Sequence, residues 1–125
     1  MGDWYLVRHG ETKWNAEQRV QGQTDTPLHG PGREHLAHTA RRLKDTFFDA
    51  VYSSDLSRAR ETAEMLVPGN DPGTYDVRED PLLLEVSFGE FEGMTWTDIQ
   101  NADAELRVRQ LAHDLDYQPS GGESY

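Results

Sequence analysis

The residues with the clearest chemical potential follow the first apolar run of the chain. Arg8, His9 and Gly10 come directly after residues 4–7, a β-favouring stretch that predicts a buried strand ending in a loop. In α/β proteins the carboxyl ends of strands form the usual ligand crevice. There, a neutral imidazole can attack phosphorus, an adjacent guanidinium can neutralise phosphoryl oxygens, and a glycine lets the backbone approach an anion. Taken alone, the tripeptide is more typical of a polar turn with a surface histidine.

The elements that would position these groups predict an α/β domain. Turn residues separate the apolar segments at spacings that indicate alternating strands and helices. Residues 50–53 predict a second strand, Tyr75 and Val77 a short third one, and residues 82–84 are candidates for the core. Apolar stripes predict three amphipathic helices, formed by Leu36, Ala40, Leu43 and Phe47, by Leu56, Ala59, Ala63 and Leu66, and by Ala104, Val108, Leu111 and Leu115.

Composition excludes several classes of protein. The 125 residues match the size of one domain, and no stretch approaches the apolar length of a membrane-spanning helix. With 12 basic and 23 acidic residues the net charge is −11, which disfavours nucleic acid and anionic membranes as partners. The acidity suits a salt-adapted cytoplasm or a GC-rich genome equally well. The absence of cysteine excludes thiolate metal sites and cysteine nucleophiles, and without a visible secretory signal we expect a cytoplasmic protein.

Several separated stretches carry more information than the tripeptide. They are LVRHGET at 6–12 with QGQTD at 21–25, SSDLSRA at 53–59 with ETA at 61–63, LE at 84–85 with FGEFEG at 88–93, and GES at 122–124. In order and spacing they resemble the histidine phosphatase superfamily of phosphoglycerate-mutase-like phosphatases. The resemblance implies a three-layer α/β/α fold around a mostly parallel sheet, truncated before its C-terminal strands. It implies one histidine phosphatase domain over residues 1–125, incomplete at its C-terminus.

The resemblance also implies a role for individual residues. His9 resembles the nucleophile that accepts the phosphoryl group, forming a phosphohistidine that water then cleaves. Arg8 and Arg58 resemble the phosphate clamps. Glu85 resembles the acid that protonates the leaving oxygen, and we expect nearby leucines and the charge of the substrate to raise its pKa. The implied substrate-binding residues are Asn15, Gln21, Gly22 and Gln23. No metal and no cofactor are implied.

Each of these residues has an ordinary structural interpretation as well. Arg58 could be an exposed helical arginine that pairs with Glu61 or Asp55, and Glu85 could form a salt bridge at the end of a strand. Asn15 could cap a helix, and the glutamines could be solvated. His35 and His38 are expected to be solvated positions on a helix. The acids expected to be loop or supporting residues are Glu11, Glu90 and Glu92.

The family's second pocket histidine, which lies in a His-Gly context after a late strand, has no counterpart in this chain. His29 precedes Gly30 but lies in an early loop, and His113 lies within a predicted helix. Loss of this histidine would remove a charged partner of the phosphoryl group. Missing strands would leave unpaired sheet edges that favour self-association. We therefore expect a homo-oligomer, either with swapped elements or with another chain that completes the site.

These observations predict a phosphomonoester hydrolase whose partner is a small phosphorylated metabolite or inorganic phosphate. A phosphoglycerate mutase is the alternative enzyme, but the sequence after Gly93 leads directly into residues 95–98, without the longer insert of the cofactor-dependent mutases. The alternatives from another class are a non-catalytic module that binds a phosphorylated ligand and an inactive fragment.

Overall fold

The computed structural model describes residues 2–67, 75–102 and 115–124. Within these ranges the chain forms α-helices, two strands and two 3-10 helices. In chain order they are α1 (Lys13–Ala16), α2 (Gly30–Leu43), β1 (Val51–Ser53), α3 (Ser57–Leu66), β2 (Val77–Glu79), the 3-10 helices Pro81–Leu83 and Gly89–Phe91, and α4 (Trp96–Ala102). None of the helices in the described part of the chain is long and apolar enough to cross a membrane.

Strands β1 and β2 form a parallel pair in which Val51 lies opposite Val77 and Ser53 opposite Glu79. Helix α3 connects them along the chain and packs against both strands. The N–H of Asp80 donates to the carbonyl of Ser53 at 2.9 Å and continues the pairing past β2. This strand, helix, strand unit confirms the predicted α/β architecture and the two short strands.

The main apolar cluster joins α2, α3 and the loop after His9. Leu28, Leu36 and Leu66 are buried together, and the predicted stripe residues Ala40 and Leu43 pack beside them. Gly10 lies directly on this cluster, since a Cβ at that position would approach Leu36 Cδ1 to 2.6 Å. Packing against this cluster therefore fixes the position of the Gly10 backbone, next to His9, relative to α2 and α3.

Residues 4–7 form no strand, contrary to the prediction. Trp4 is 90% and Leu6 93% exposed, while the ring of Tyr5 contacts Phe48 edge-to-face at 5.3 Å between centroids. An apolar composition of residues that favour strands indicates only a preference, because a strand also needs a neighbouring backbone to bond its N–H and C=O groups. Among the described residues no strand pairs with this segment. The homo-oligomer that would cover it stays a prediction.

Two expectations about core residues were also wrong. Phe47 is 80% exposed because α2 ends at Leu43, so the helical stripe does not extend to it. Leu82 is 90% and Leu83 53% exposed, since they lie in a short 3-10 turn that Asp80 caps by accepting the N–H of Leu82. The third predicted helix lies almost wholly outside the described residues.

A second apolar cluster holds two loops against each other. Val20, Phe91 and Ile99 are buried together. The backbones of the two loops also pair, because Val20 N–H donates to Met94 O at 3.0 Å and Gly93 N–H donates to Val20 O at 2.8 Å. Residues 18–24 are thereby fixed to residues 88–96.

The carboxylate of Glu92 strengthens this connection. It accepts the N–H groups of Gln23 at 3.1 Å, Thr24 at 2.9 Å and Phe88 at 3.0 Å, and also the hydroxyl of Thr24. Partial burial opposes ionisation, but these hydrogen bonds together lower the pKa of Glu92 below its ordinary value of 4.5. Glu92 therefore stabilises both loops in its ionised form.

The apolar cluster gives the first prediction. Leu36→Ala should lower the free energy of unfolding by about 2–5 kcal/mol, because it removes buried methyl groups and leaves a cavity under Gly10. Leu82→Ala, the matched control at an exposed position, should change it by less than about 0.5 kcal/mol. Urea denaturation followed by circular dichroism measures both, and equal losses in the two variants would contradict the packing described above.

The second prediction concerns Glu92. Because its folded-state pKa is lowered, its contribution is present above pH 4.5 and is lost as the pH falls through the folded-state value. Glu92→Gln should therefore cost about 1–3 kcal/mol of unfolding free energy at pH 7, and the difference from the unaltered chain should narrow below pH 4.5. Glu90→Gln, at an exposed neighbouring carboxylate, is the control. A difference that stays constant down to pH 3 would show that Glu92 does not act through its charge.

Candidate active site

A pocket of about 190 Å³ lies where the loop around His9 meets the start of α3 and residues 19–22. It is lined by all the sequence-predicted site residues except Gln23, that is by Arg8, His9, Asn15, Gln21, Gly22, Arg58 and Glu85. A larger hollow of about 260 Å³, bordered by Phe47 and Tyr75, holds none of them. The smaller pocket is the candidate site because the groups able to do chemistry lie in it.

His9 is half-buried, and its Nδ1 lies 2.7 Å from the carbonyl oxygen of Gly10. A carbonyl can only accept, so Nδ1 carries the proton and the neutral ring keeps its lone pair on Nε2. Burial lowers the pKa of His9 below its ordinary value of 6.5. The Gly10 bond opposes this shift, Arg58 and Arg8 add to it, and Glu85 again opposes it. At neutral pH the imidazole is therefore uncharged, which is the form that acts as a nucleophile.

Arg58 lies in the first turn of α3 and is 1% exposed. Its Nη2 donates to the carbonyl of Gly22 at 2.6 Å and its Nη1 to that of Thr24 at 2.9 Å. Nε is buried and has no hydrogen-bond partner among the described residues. The alternative pairing with Glu61 is not formed, because Glu61 contacts Arg33. A buried guanidinium with a donor left over and no ion pair to a described carboxylate is suited to bind an anion.

Burial lowers the pKa of Arg58, and the carboxylates of Asp25, Glu85 and Glu92 oppose that shift from a distance. The guanidinium remains charged, as arginine does in proteins. Asp25 also fixes the start of α3, since its Oδ1 accepts the N–H of Ser57 at 2.8 Å and the Ser57 hydroxyl at 2.7 Å. A residue distant in sequence thus caps the helix that carries Arg58.

The predicted substrate-binding residues occupy different positions. Gln21 is buried, and its Oε1 accepts the hydroxyls of Thr12 and Thr26, so its side chain holds the loop together. Gly22 has φ +54°, and the space beside its Cα is filled by the Glu92 carboxylate. A side chain at residue 22 would therefore be strained and would collide.

Asn15 and Gln23 complete the predicted set. Asn15 forms a capping box with Thr12, in which Asn15 Oδ1 accepts the N–H of Thr12 at 3.1 Å. Asn15 is therefore part of a helix cap and also lines the pocket. Its Nδ2 is the donor end of the amide. Gln23 lies outside the pocket wall, and its Nε2 donates to the carbonyl of Glu85 at 3.0 Å and to Glu123 at 3.2 Å.

Glu85 is exposed at the rim of the pocket, and its Oε1 accepts the N–H of Val86 at 2.8 Å. The leucines expected to surround it do not do so, since Leu82 and Leu83 are exposed. Arg8 is also exposed. The nucleophile candidate and Arg58 are thus in the deeper part of the site, whereas Arg8 and Glu85 face water.

Sequence reasoning missed four residues of the pocket wall, which are Arg19, Val20, Phe88 and Trp96. Arg19 donates from Nη1 to the carbonyl of Gly93 at 2.8 Å and also pairs with Glu17. Phe88 and Trp96 contact each other edge-to-face at 6.3 Å between ring centroids. No periodicity marks these residues, because it is the pairing of residues 18–20 with residues 93–96 that brings them to the pocket.

Comparison with known proteins agrees with the fold and the motifs. The family model of the histidine phosphatase superfamily (branch 1) matches residues 4–125. A probable phosphoglycerate mutase GpmB of Escherichia fergusonii is 44% identical over 109 residues, which are 87% of this chain and 49% of that protein. A protein of the same name from Escherichia coli O1:K1 is 36% identical over 96% of this chain and 54% of its own length.

Solved structures show the same relationship. A mycobacterial glucosyl-3-phosphoglycerate phosphatase in complex with VO3 superposes with a TM-score of 0.80 at 34% identity, covering 93% of this chain and 56% of that one. A putative alpha-ribazole-5'-P phosphatase from Escherichia coli K-12 gives a TM-score of 0.80 at 31% identity, covering 94% and 57%. The chain spans about half the length of the curated relatives it matches. On its motifs, its fold and these matches, the chain belongs to the histidine phosphatase superfamily.

Proposed function

We propose that the pocket is the phosphoryl-transfer site of a phosphomonoester hydrolase that acts on a small phosphorylated metabolite through a phosphohistidine. The observation that carries this proposal is the buried guanidinium of Arg58, whose Nε is unpartnered in the described structure, in the same pocket as a neutral His9. A phosphoryl oxygen at Nε would supply the acceptor that this donor lacks among the described residues.

The proposed reaction has two steps. In the first, the Nε2 lone pair of His9 attacks phosphorus, the bond from phosphorus to the leaving oxygen breaks, and the carboxyl proton of Glu85 passes to that oxygen. In the second, water attacks phosphorus, the phosphorus–nitrogen bond breaks with its electron pair returning to Nε2, and a water proton passes to the Glu85 carboxylate. Arg8 and Arg58 stabilise the charge on the phosphoryl oxygens during both steps.

Hydrolysis is favoured over mutase activity by the sequence after Gly93, which leads directly into residues 95–98 without the longer insert of the cofactor-dependent mutases. The relatives named as phosphatases support the same choice, and the relatives named as probable phosphoglycerate mutases support the alternative. A test with substrate separates the two, because only a hydrolase releases inorganic phosphate.

The role of His9 gives the third prediction. His9→Ala should abolish phosphate release from an aryl phosphomonoester, with a loss of at least about 10³-fold, because it removes the nucleophile. The matched control is His38→Ala, at an exposed position of α2, which should retain activity. Rapid quenching should trap acid-labile phosphate on the unaltered chain and on His38→Ala, but not on His9→Ala. Turnover that survives in His9→Ala would refute the phosphohistidine route.

Arg58 gives the fourth prediction. Arg58→Lys should weaken binding of inorganic phosphate by about 10- to 100-fold, since an ammonium cannot reproduce the directed donors of the guanidinium. The control is Arg60→Lys on the same helix, where the arginine is exposed and pairs with Glu64 and Glu79. Isothermal titration calorimetry measures the affinities, and thermal unfolding verifies that both variants are folded.

The two experiments together also distinguish the remaining alternatives. Phosphate binding that depends on Arg58, without labelling of His9 or turnover, would identify a non-catalytic binding module. A folded chain that neither binds phosphate nor is labelled would be an inactive fragment, and both results would overturn the proposed function.

A further inference from the structure

Thr62 joins the loop of His9 to the helix of Arg58, and the mechanism above does not use it. It lies on α3, one turn after Arg58, and is 3% exposed. Its Oγ1 accepts the N–H of Gly10 at 2.9 Å and donates to the carbonyl of Arg58 at 2.6 Å. One hydroxyl is thus bonded both to the peptide that follows His9 and to the backbone of Arg58.

The bond to the carbonyl of Arg58 has an ordinary explanation, because helical threonines often bond the carbonyl four residues earlier. The bond from Gly10 does not, since it connects residues 52 positions apart in the chain. It also makes the hydroxyl an acceptor in addition to its donation to Arg58, in a buried place where each polar group needs a partner. The arrangement therefore requires a side chain that donates and accepts at once.

Gly10 transmits this constraint to the imidazole. Its N–H belongs to the peptide between His9 and Gly10, which Thr62 fixes, while its carbonyl accepts Nδ1–H of His9 at 2.7 Å. On its other side Gly10 is packed against Leu36 and Leu28. Gly10 is consequently held between an apolar surface and one hydroxyl, and the orientation of the His9 ring, which bonds the Gly10 carbonyl, depends on both.

We infer that Thr62 is a positioning residue for phosphoryl transfer, whose hydroxyl holds the Gly10 peptide so that His9 keeps Nδ1 protonated and directs Nε2 to the phosphoryl group bound by Arg58. The inference rests on the proposed function for its kinetic consequence. Its structural consequence, the tautomer of His9, is measurable in the chain without any substrate.

The test compares Thr62→Val, which keeps the β-branched shape and removes the hydroxyl, with Thr62→Ser, which keeps the hydroxyl. In nitrogen-15 spectra of histidine-labelled protein at pH 7.5, the unaltered chain and Thr62→Ser should show His9 as the single Nδ1–H tautomer. Thr62→Val should show a substantial Nε2–H population. With an aryl phosphomonoester, Thr62→Val should lose about 10- to 100-fold in kcat with little change in KM, and Thr62→Ser should stay within about threefold of the unaltered chain.

A Thr62→Val variant that keeps the Nδ1–H tautomer and full kcat would overturn the inference. If this variant does not fold, Thr62→Ala leaves room for a water molecule at the Gly10 N–H and is measured against the same two outcomes. Absence of turnover in the unaltered chain and in Thr62→Ser would refute the proposed function instead, and the tautomer measurement would still decide whether Thr62 positions His9.

Discussion

The burial of one guanidinium group is the constraint on which the rest of the site depends. Arg58 is withdrawn from water, and no ion pair to a described carboxylate compensates its charge. Burying an uncompensated charge costs several kcal/mol, so the surrounding backbone must supply oriented dipoles. The carbonyls of Gly22 and Thr24 do so, and residues 22–24 can adopt no conformation that turns those carbonyls away without losing this stabilisation.

The loop of residues 22–24 is bonded by a cation on one side and by an anion on the other. The carbonyl of Gly22 and the N–H of Gln23 belong to one peptide unit, which bonds Arg58 through its oxygen and the carboxylate of Glu92 through its nitrogen. Positive and negative charges thus act on the same dipole in the direction that stabilises it. The two charges do not touch, so the guanidinium keeps a donor for a ligand while part of the cost of its burial is offset across the loop. A direct ion pair would have occupied the group that we propose to bind phosphate.

Motif residues were the most predictable part of the protein, because their chemistry limits where they can lie. A histidine, two arginines and a carboxylate at the motif spacings indicated one pocket, and the structure brings His9, Arg58, Arg8 and Glu85 to the same wall. The stripes of α2 and α3 and strand β1 were equally predictable, since an apolar period of 3.6 residues or a short apolar run between turns indicates which residues are buried. The errors occurred at residues 4–7, at Phe47 and at residues 82–83, where apolar composition was taken as burial although burial needs a second surface.

The sequence by itself determined the family, the α/β class and the identities of the groups that could transfer a phosphoryl group, because these depend on residue type and order. Only the tertiary structure decided which of those groups are buried, which carry a free donor and which hold the site together. Glu92, Asp25 and Thr62 act through hydrogen bonds to residues far away in the chain, and no local pattern encodes such a partner. The energy of a buried polar group depends on what surrounds it in space, and that is fixed only when the separate segments pack together.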